Sequence, residues 1–291
     1  MTKHIKRLLW LVLLLMTVGV SAHACTLWSA AGKSVSGGGT IISKNRDRVP
    51  GAPQRIQVVR PKGGYAFVAL IAGDEGEDQG FIAAGTNQHG LTVVSATASS
   101  IPSAKRKKMP QKSRLLSRLL ASSKTVDEAL SHKDWFYGPK FLLLSDRHET
   151  AVLEIGPDKK ISISRSTDGV LYHTNYYVSD SLTSANLKIG ESSSTRYKRI
   201  AALLKDAQYP LTVKQFQTFS LDHVAGPENS IMRTGGKPGQ EKTIASYIVR
   251  TPESGSPIIY AVVRNQKEKE KSYELNVDDL LSGKATVKEL P

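Results

Sequence analysis

Residues 8–20 form an uncharged and mostly apolar run, preceded by Lys3, Lys6 and Arg7. Thirteen residues are too few for a helix that crosses a bilayer, which needs about twenty. The run instead reads as a secretory leader, closed by the small-x-small signal Ala22-His23-Ala24. Beyond it, short alternating stretches predict strands: one from Cys25 to a turn at Gly32-Lys33, and one through Thr40-Ile41-Ile42-Ser43 after Gly37-Gly38-Gly39, together a hairpin. Further strands are expected at 56–59, 65–71, 81–84 and 91–96. Leu115, Leu116, Leu119 and Leu120 recur at one-face spacing and predict a helix over 113–121. Thr125-Val126-Asp127-Glu128 has the form of a capping box opening a second helix. Strands at 141–144 and 151–155 turn at Asp146-Arg147-His148, and another ends at Leu171-Tyr172-His173-Thr174-Asn175. A basic amphipathic helix follows over 194–204, and Thr212 to Gln215 caps one more. Strands over 243–249, 257–263 and 272–275 close the chain, with Lys267 to Lys271 as an exposed turn. Strands, helices, then strands make this an α+β chain, and two sheets covered by helices suit the count.

The chain's only cysteine, Cys25, stands directly after the leader's cleavage signal. Cleavage there would place a thiol and a free α-amine on one residue. Reference pKa values of about 8.5 and about 8 let such an amine take the thiol's proton near neutral pH. Two other readings compete. A lone cysteine can be buried and inert, and a cysteine after a bacterial leader can carry a lipid anchor, although that signal wants a bulky aliphatic residue where Ala22 stands. The return strand brings Lys44-Asn45-Arg46-Asp47-Arg48 toward Cys25. Asp47 is placed to fix the amine's hydrogens, or merely to cap a turn. Asn175, at a strand end, is either an oxyanion donor or a turn former. Arg196 alone reads as a surface charge.

The net charge of +14 changes this picture little. Its densest run, Lys105-Arg106-Lys107-Lys108 with Lys112, Arg114 and Arg118, has no interleaved aromatics. It therefore reads as a solvated flank of a helix and not as a nucleic-acid surface. One cysteine excludes an internal disulfide, so packing must hold the fold. The seven histidines are scattered, without the spacing of a metal site, and no cofactor is called for. Trp135-Phe136-Tyr137 fits an acyl pocket or the core equally well.

Several stretches together resemble the N-terminal-nucleophile amidohydrolases: Cys25-Thr26, Gly37 through Asp47, Gly85 through Leu91, His173-Thr-Asn-Tyr176, Ser192 through Arg196, and Asn229 through Arg233. Within them the chain is most similar to the acyl-CoA:6-aminopenicillanic-acid acyltransferase branch, related to penicillin V acylase and bile-salt hydrolase. The resemblance runs from Cys25 to about Val263 and implies a four-layered αββα sandwich; with the leader at 1–24 cleaved, one such domain over 25–291 is expected, in a secreted or periplasmic enzyme. It implies hydrolysis of a linear acyl amide or acyl transfer to an amine. Cys25 would be nucleophile and base, Asp47 would orient the amine, Asn175 would donate to the oxyanion and Arg196 would support the charge network. Thr97 would be a second oxyanion or substrate contact. Relatives show Arg-Asn-x-Asp where this chain has Lys44-Asn45-Arg46-Asp47. Lys44 would act as a point charge beside the thiolate, or Arg46 has another job, and alternation puts both on one face. N-terminal-cysteine dipeptidases also begin Cys-Thr, and a lipid-anchored binding protein is the non-enzyme reading. The partner implied is a small acyl amide, with no nucleic acid, no membrane span after cleavage and no oligomer specified.

Overall fold

The computed structural model describes residues 24–51, 53–73 and 80–290. The expected leader, Ala24 apart, lies outside them. Two antiparallel sheets form the frame. The first has six strands: β1 (Cys25–Ala31), β2 (Thr40–Arg48), β10 (Gly169–His173), β11 (Lys242–Thr251), β12 (Ile258–Val263) and β13 (Lys271–Asn276). Their spatial order is β10-β1-β2-β11-β12-β13. The second is a seven-stranded meander in chain order: β3 (Gln54–Val59), β4 (Phe67–Ala72), β5 (Phe81–Asn87), β6 (Thr92–Thr97), β7 (Lys140–Ser145), β8 (Thr150–Ile155) and β9 (Ile161–Ser166).

Three apolar clusters define four layers. Between the sheets lie Leu27, Ile42, Val68, Val94, Phe141 and Tyr247, and Cys25 belongs to this cluster. Helices α2 (Leu115–Ser122) and α3 (Val126–Ser131) cover the outer face of the seven-stranded sheet, α2 through the four leucines read from the sequence and α3 through Val126, Ala129 and Leu130. Helices α4 (Glu191–Lys205) and α5 (Val213–Ser220) cover the six-stranded sheet, packing Ile200, Leu204, Phe216 and Phe219 on Trp28 and Ile248. The expected αββα sandwich is therefore present. Short helices α1 (Ser103–Arg106), α6 (Gly226–Asn229) and α7 (Val277–Ser282) complete the described chain. No described helix is long and apolar enough to cross a membrane.

Two local differences from the sequence reading have physical causes. Strand β9 went unread because its Ile-Ser-Ile-Ser-Arg-Ser pattern exposes its centre at the sheet edge. At α3, Thr125 accepts from the Glu128 N–H, but the Glu128 carboxylate reaches back one residue further, to the Lys124 N–H. The Val126 N–H is met instead by Asp146 Oδ2 from the β7–β8 turn, which ties helix to sheet. The capping box at Thr212 and Gln215 closes as read.

Two features of the frame set up the site. The β1–β2 return needs Gly39 at φ +68°, where a Cβ would come within 2.3 Å of the Thr251 carbonyl. Between β4 and β5 the register slips at Leu70/Ile71, leaving Ala83 as the extra residue of a bulge. The β5–β6 ladder then runs from Thr86↔Thr92 only as far as Ala84↔Val94.

Candidate active site

Antiparallel pairing assembles the site from distant segments. Strand β1 lies between β2 and β10, so Cys25 faces Arg46 on one side, and Leu27 faces His173 on the other. Running two residues past His173 brings Asn175 level with Cys25. The Cys25 N–H donates to Asn175 Oδ1 at 2.8 Å, across 150 residues of chain. The Asn175 Nδ2 donates to the Thr97 carbonyl at 2.9 Å, so Thr97 enters the site through its backbone at the end of β6.

Arg196 is fully buried. It lies on the face of α4 that carries Ile200 and Leu204, pointing at β1. Its Nη1 donates to the Cys25 carbonyl at 2.7 Å and to Thr26 Oγ1 at 2.8 Å, and its Nη2 donates to Asn175 Oδ1 at 3.2 Å. One planar fork thus fixes Cys25, Thr26 and Asn175 together.

Asp47 is also fully buried. Its N–H donates to the Ala24 carbonyl at 3.1 Å, continuing the β1–β2 ladder by one rung. Its Oδ1 accepts from Thr243 Oγ1 at 2.7 Å, while Oδ2 accepts no hydrogen bond and has Arg233 Nη1 at 3.9 Å. Burial pushes the carboxyl up to about 6, against the pull of Arg196 first and then Arg233. The Cys25 nitrogen meets Asn175 and not Asp47 in the chain that still carries Ala24.

The structure separates Lys44 from Arg46. Both face the space between the sheets, as alternation requires. Lys44 Nζ reaches the opposite sheet and donates to the Ala83 carbonyl at 2.9 Å and to the Ser95 carbonyl. These are the carbonyls just beyond the point where the β5–β6 ladder opens. Burial pushes Lys44 down to about 7, partly offset by the neighbouring Cys25. Arg46 turns to the sheet edge, where its Nε donates to Gln54 Oε1 at 2.7 Å and its guanidinium lies over Phe81 at 5.3 Å.

Sequence reasoning missed Arg233, Glu241 and Thr243 as site residues. Arg233 pairs with Glu241 at 2.5 Å beside Asp47. Arg233 stood in the quoted Asn229 to Arg233 stretch, which was the available signal. Trp135 and Phe136 pack in the cluster beneath α2 and α3, across the seven-stranded sheet from Cys25, so they are core and not acyl pocket. In the basic run Arg106 is buried and donates to the carbonyls of Ala98 and Ile101, whereas Lys105, Lys107 and Lys108 are not buried. A cleft of about 610 Å³ opens at Ala24, with Ser99, Lys188, Ser193, Arg233 and Glu241 in its walls. Among the described residues no cluster of three or more His, Cys, Asp or Glu side chains is arranged to hold a metal.

A family model described as acyl-coenzyme A:6-aminopenicillanic acid acyl-transferase matches residues 35–264. The chain belongs to this family. Two solved structures of conjugated bile acid hydrolase from Clostridium perfringens share the family's fold. One carries an arginine-to-leucine substitution and is 14% identical, with TM-score 0.56, covering 87% of this chain and 97% of that one. The other carries a cysteine-to-alanine substitution and is 13% identical, with TM-score 0.58, covering 92% and 96%. Among curated proteins no sequence match is found. The family is thus that of an acyl-transferase, and its fold is the one the bile acid hydrolase structures share.

Proposed function

We propose that the chain is a secreted or periplasmic hydrolase that cleaves a linear acyl amide through a thioester on Cys25, after residues 1–24 are removed. The observation that carries this reading is the treatment of the Cys25 nitrogen. Any buried backbone N–H needs an acceptor, and in a strand a carbonyl of the neighbouring strand ordinarily supplies it; at Cys25 a side chain takes that place. Here Asn175 Oδ1 accepts from that nitrogen, and a buried carboxylate oxygen, Asp47 Oδ2, accepts no hydrogen bond beside the residue to be lost. A buried acceptor without a hydrogen bond is costly. Removal of Ala24 creates an ammonium with two further hydrogens, and Asp47 Oδ2 is the acceptor proposed for one of them.

The steps follow from one residue holding both groups. The α-amine takes the Sγ proton, and the thiolate attacks the amide carbon. The oxyanion collapses, the C–N bond breaks, and the α-ammonium returns its proton to the leaving amine. Water, deprotonated by the same amine, attacks the thioester carbon, releasing the carboxylic acid and the thiol. Asn175 and Asp47 hold the amine, and Arg196 locks the Cys25 carbonyl. The expected oxyanion role of Asn175 would use its Nδ2, the atom that donates to Thr97. Lys44 supplies a cation on the thiol side.

A second reading, in which an amine replaces water and the product is a new amide, has its support in the family's description as an acyl-transferase. Both are tested by purifying the exported protein, weighing it intact, and assaying acid and amide products from phenoxyacetyl, bile-acid, long-chain acyl and peptide amides, with and without an added amine. The expected result is a chain beginning at Cys25 that becomes acylated. A diacylglycerol adduct, or full turnover by a chain retaining Ala24, would overturn the reading.

A further inference from the structure

Behind the site lies a buried acid–imidazole pair that none of the steps above uses. Glu154 of β8 is 2% exposed and His173, the last residue of β10, is fully buried. His173 Nε2 lies 2.7 Å from Glu154 Oε1, its Nδ1 lies 3.1 Å from the Thr174 carbonyl, and its ring packs on Phe141 with centroids 4.2 Å apart. The same carboxylate accepts from the Val178 N–H at 2.8 Å through Oε1 and from the Ser179 N–H at 3.2 Å through Oε2. One side chain from the opposite sheet therefore grips the chain just before and just after Asn175.

The hydrogen count shows how tightly. A carbonyl only accepts, so Nδ1 must carry its hydrogen toward Thr174. A bare Nε2 lone pair would then face a carboxylate oxygen at 2.7 Å, which is repulsive. A proton therefore lies between Nε2 and Oε1, and the backbone donors on both oxygens favour the arrangement in which Nε2 donates and Glu154 accepts. Three donors converge on one almost fully buried carboxylate.

We propose that Glu154 and His173 are positioning residues that hold the 173–179 segment so that Asn175 Oδ1 meets the Cys25 nitrogen. The activity consequence rests on the amidohydrolase reading, whereas the clamp itself does not. Glu154→Gln leaves one acceptor oxygen for three donors and is the informative change. Peptide-resolved hydrogen exchange on the full chain should show exchange over 174–179 rising at least about tenfold, with β1 and α4 unchanged, as expected when a local unit loosens. Acylation should slow by about 10- to 100-fold at unchanged KM, the scale of a displaced catalytic contact. In an Asn175→Ala background the same change should cost less than about threefold, because a residue acting through Asn175 is not additive with it. His173→Gln, which keeps a donor toward Glu154, should stay within about threefold of the parent, while His173→Leu should behave as Glu154→Gln does; this second pair decides the matter if Glu154→Gln fails to fold. Unchanged exchange over 174–179, or costs that multiply in the double variant, would overturn the proposal. If no amide is turned over by the parent chain, the amidohydrolase reading fails and the exchange data still decide the clamp.

Discussion

Replacing Arg196 tests the electrostatic logic of the site more sharply than replacing the nucleophile. Arg196→Met removes two short charge-assisted hydrogen bonds, to the Cys25 carbonyl and Thr26, and a longer one to Asn175. It also removes the largest influence opposing the upward push of burial on Asp47. Loss of one partner of a buried charge network costs about 3–5 kcal/mol of stability. The sign of the pH effect follows from the direction of the shift. Burial already favours protonated Asp47, pushed up to about 6. Taking away a nearby cation favours it further, by roughly 1–3 pH units. If the ionised carboxylate holds the α-ammonium, the acid limb of the acylation rate should move to higher pH by roughly that amount. Arg196→Lys keeps a charge but loses the planar fork. Its limb should stay near that of the parent while its rate falls at every pH. Single-turnover acylation by a chromogenic acyl amide between pH 5 and 9 measures both, with urea unfolding as the check on stability. A limb that stays put in Arg196→Met, or that moves equally in Arg196→Lys, would refute the assignment of the limb to Asp47.

Three further outcomes are expected. A chain that keeps one untrimmable residue before Cys25 should be folded but inactive, as shown by intact mass and product release. Cys25→Ser should fold and lose activity by orders of magnitude, since a hydroxyl is a far weaker nucleophile than a thiol beside an amine; full acylation of the serine chain would point to another nucleophile. Lys44, held down to about 7 by burial, binds its proton less readily folded than unfolded, so the parent should gain stability as pH rises from 7 toward 10.5. From pH 7 to 10 the gain is about 3–4 kcal/mol, and urea unfolding of Lys44→Met should lack it.

Much of this architecture was legible because it rests on local patterns. The hairpin that returns β2 past Cys25 follows from glycines and alternation, and the leucine face of α2 from its spacing. Arg196 taken alone read as a surface charge, and only the resemblance put it in the charge network, although the helical pattern also held that answer. It stands four and eight residues before Ile200 and Leu204, on the same helical face. The Asp47 neighbourhood was hidden for a different reason. Thr243 lies 196 residues away in sequence and arrives only because β11 pairs with β2. Lys44 and Arg46 share a strand face, and only the position of the opposite sheet distinguishes them. Likewise Trp135 and Phe136 could not be assigned to core or pocket until the sheet between them and Cys25 was known.

The bulge at Ala83 bears on how this chain tolerates changes of length. The Lys44 ammonium is one of the polar links between the two sheets, and one of its two acceptors is the carbonyl of the bulge's extra residue. Deleting a residue from β5 would make the β4–β5 ladder regular and turn that carbonyl toward a strand neighbour. The lysine beside the nucleophile would then be left with one acceptor in an apolar gap. Substitutions that keep Ala83 small preserve the arrangement, because only its backbone is used. The strand is therefore permissive in composition but fixed in residue count, and insertions or deletions there should abolish activity even where the sheet still forms.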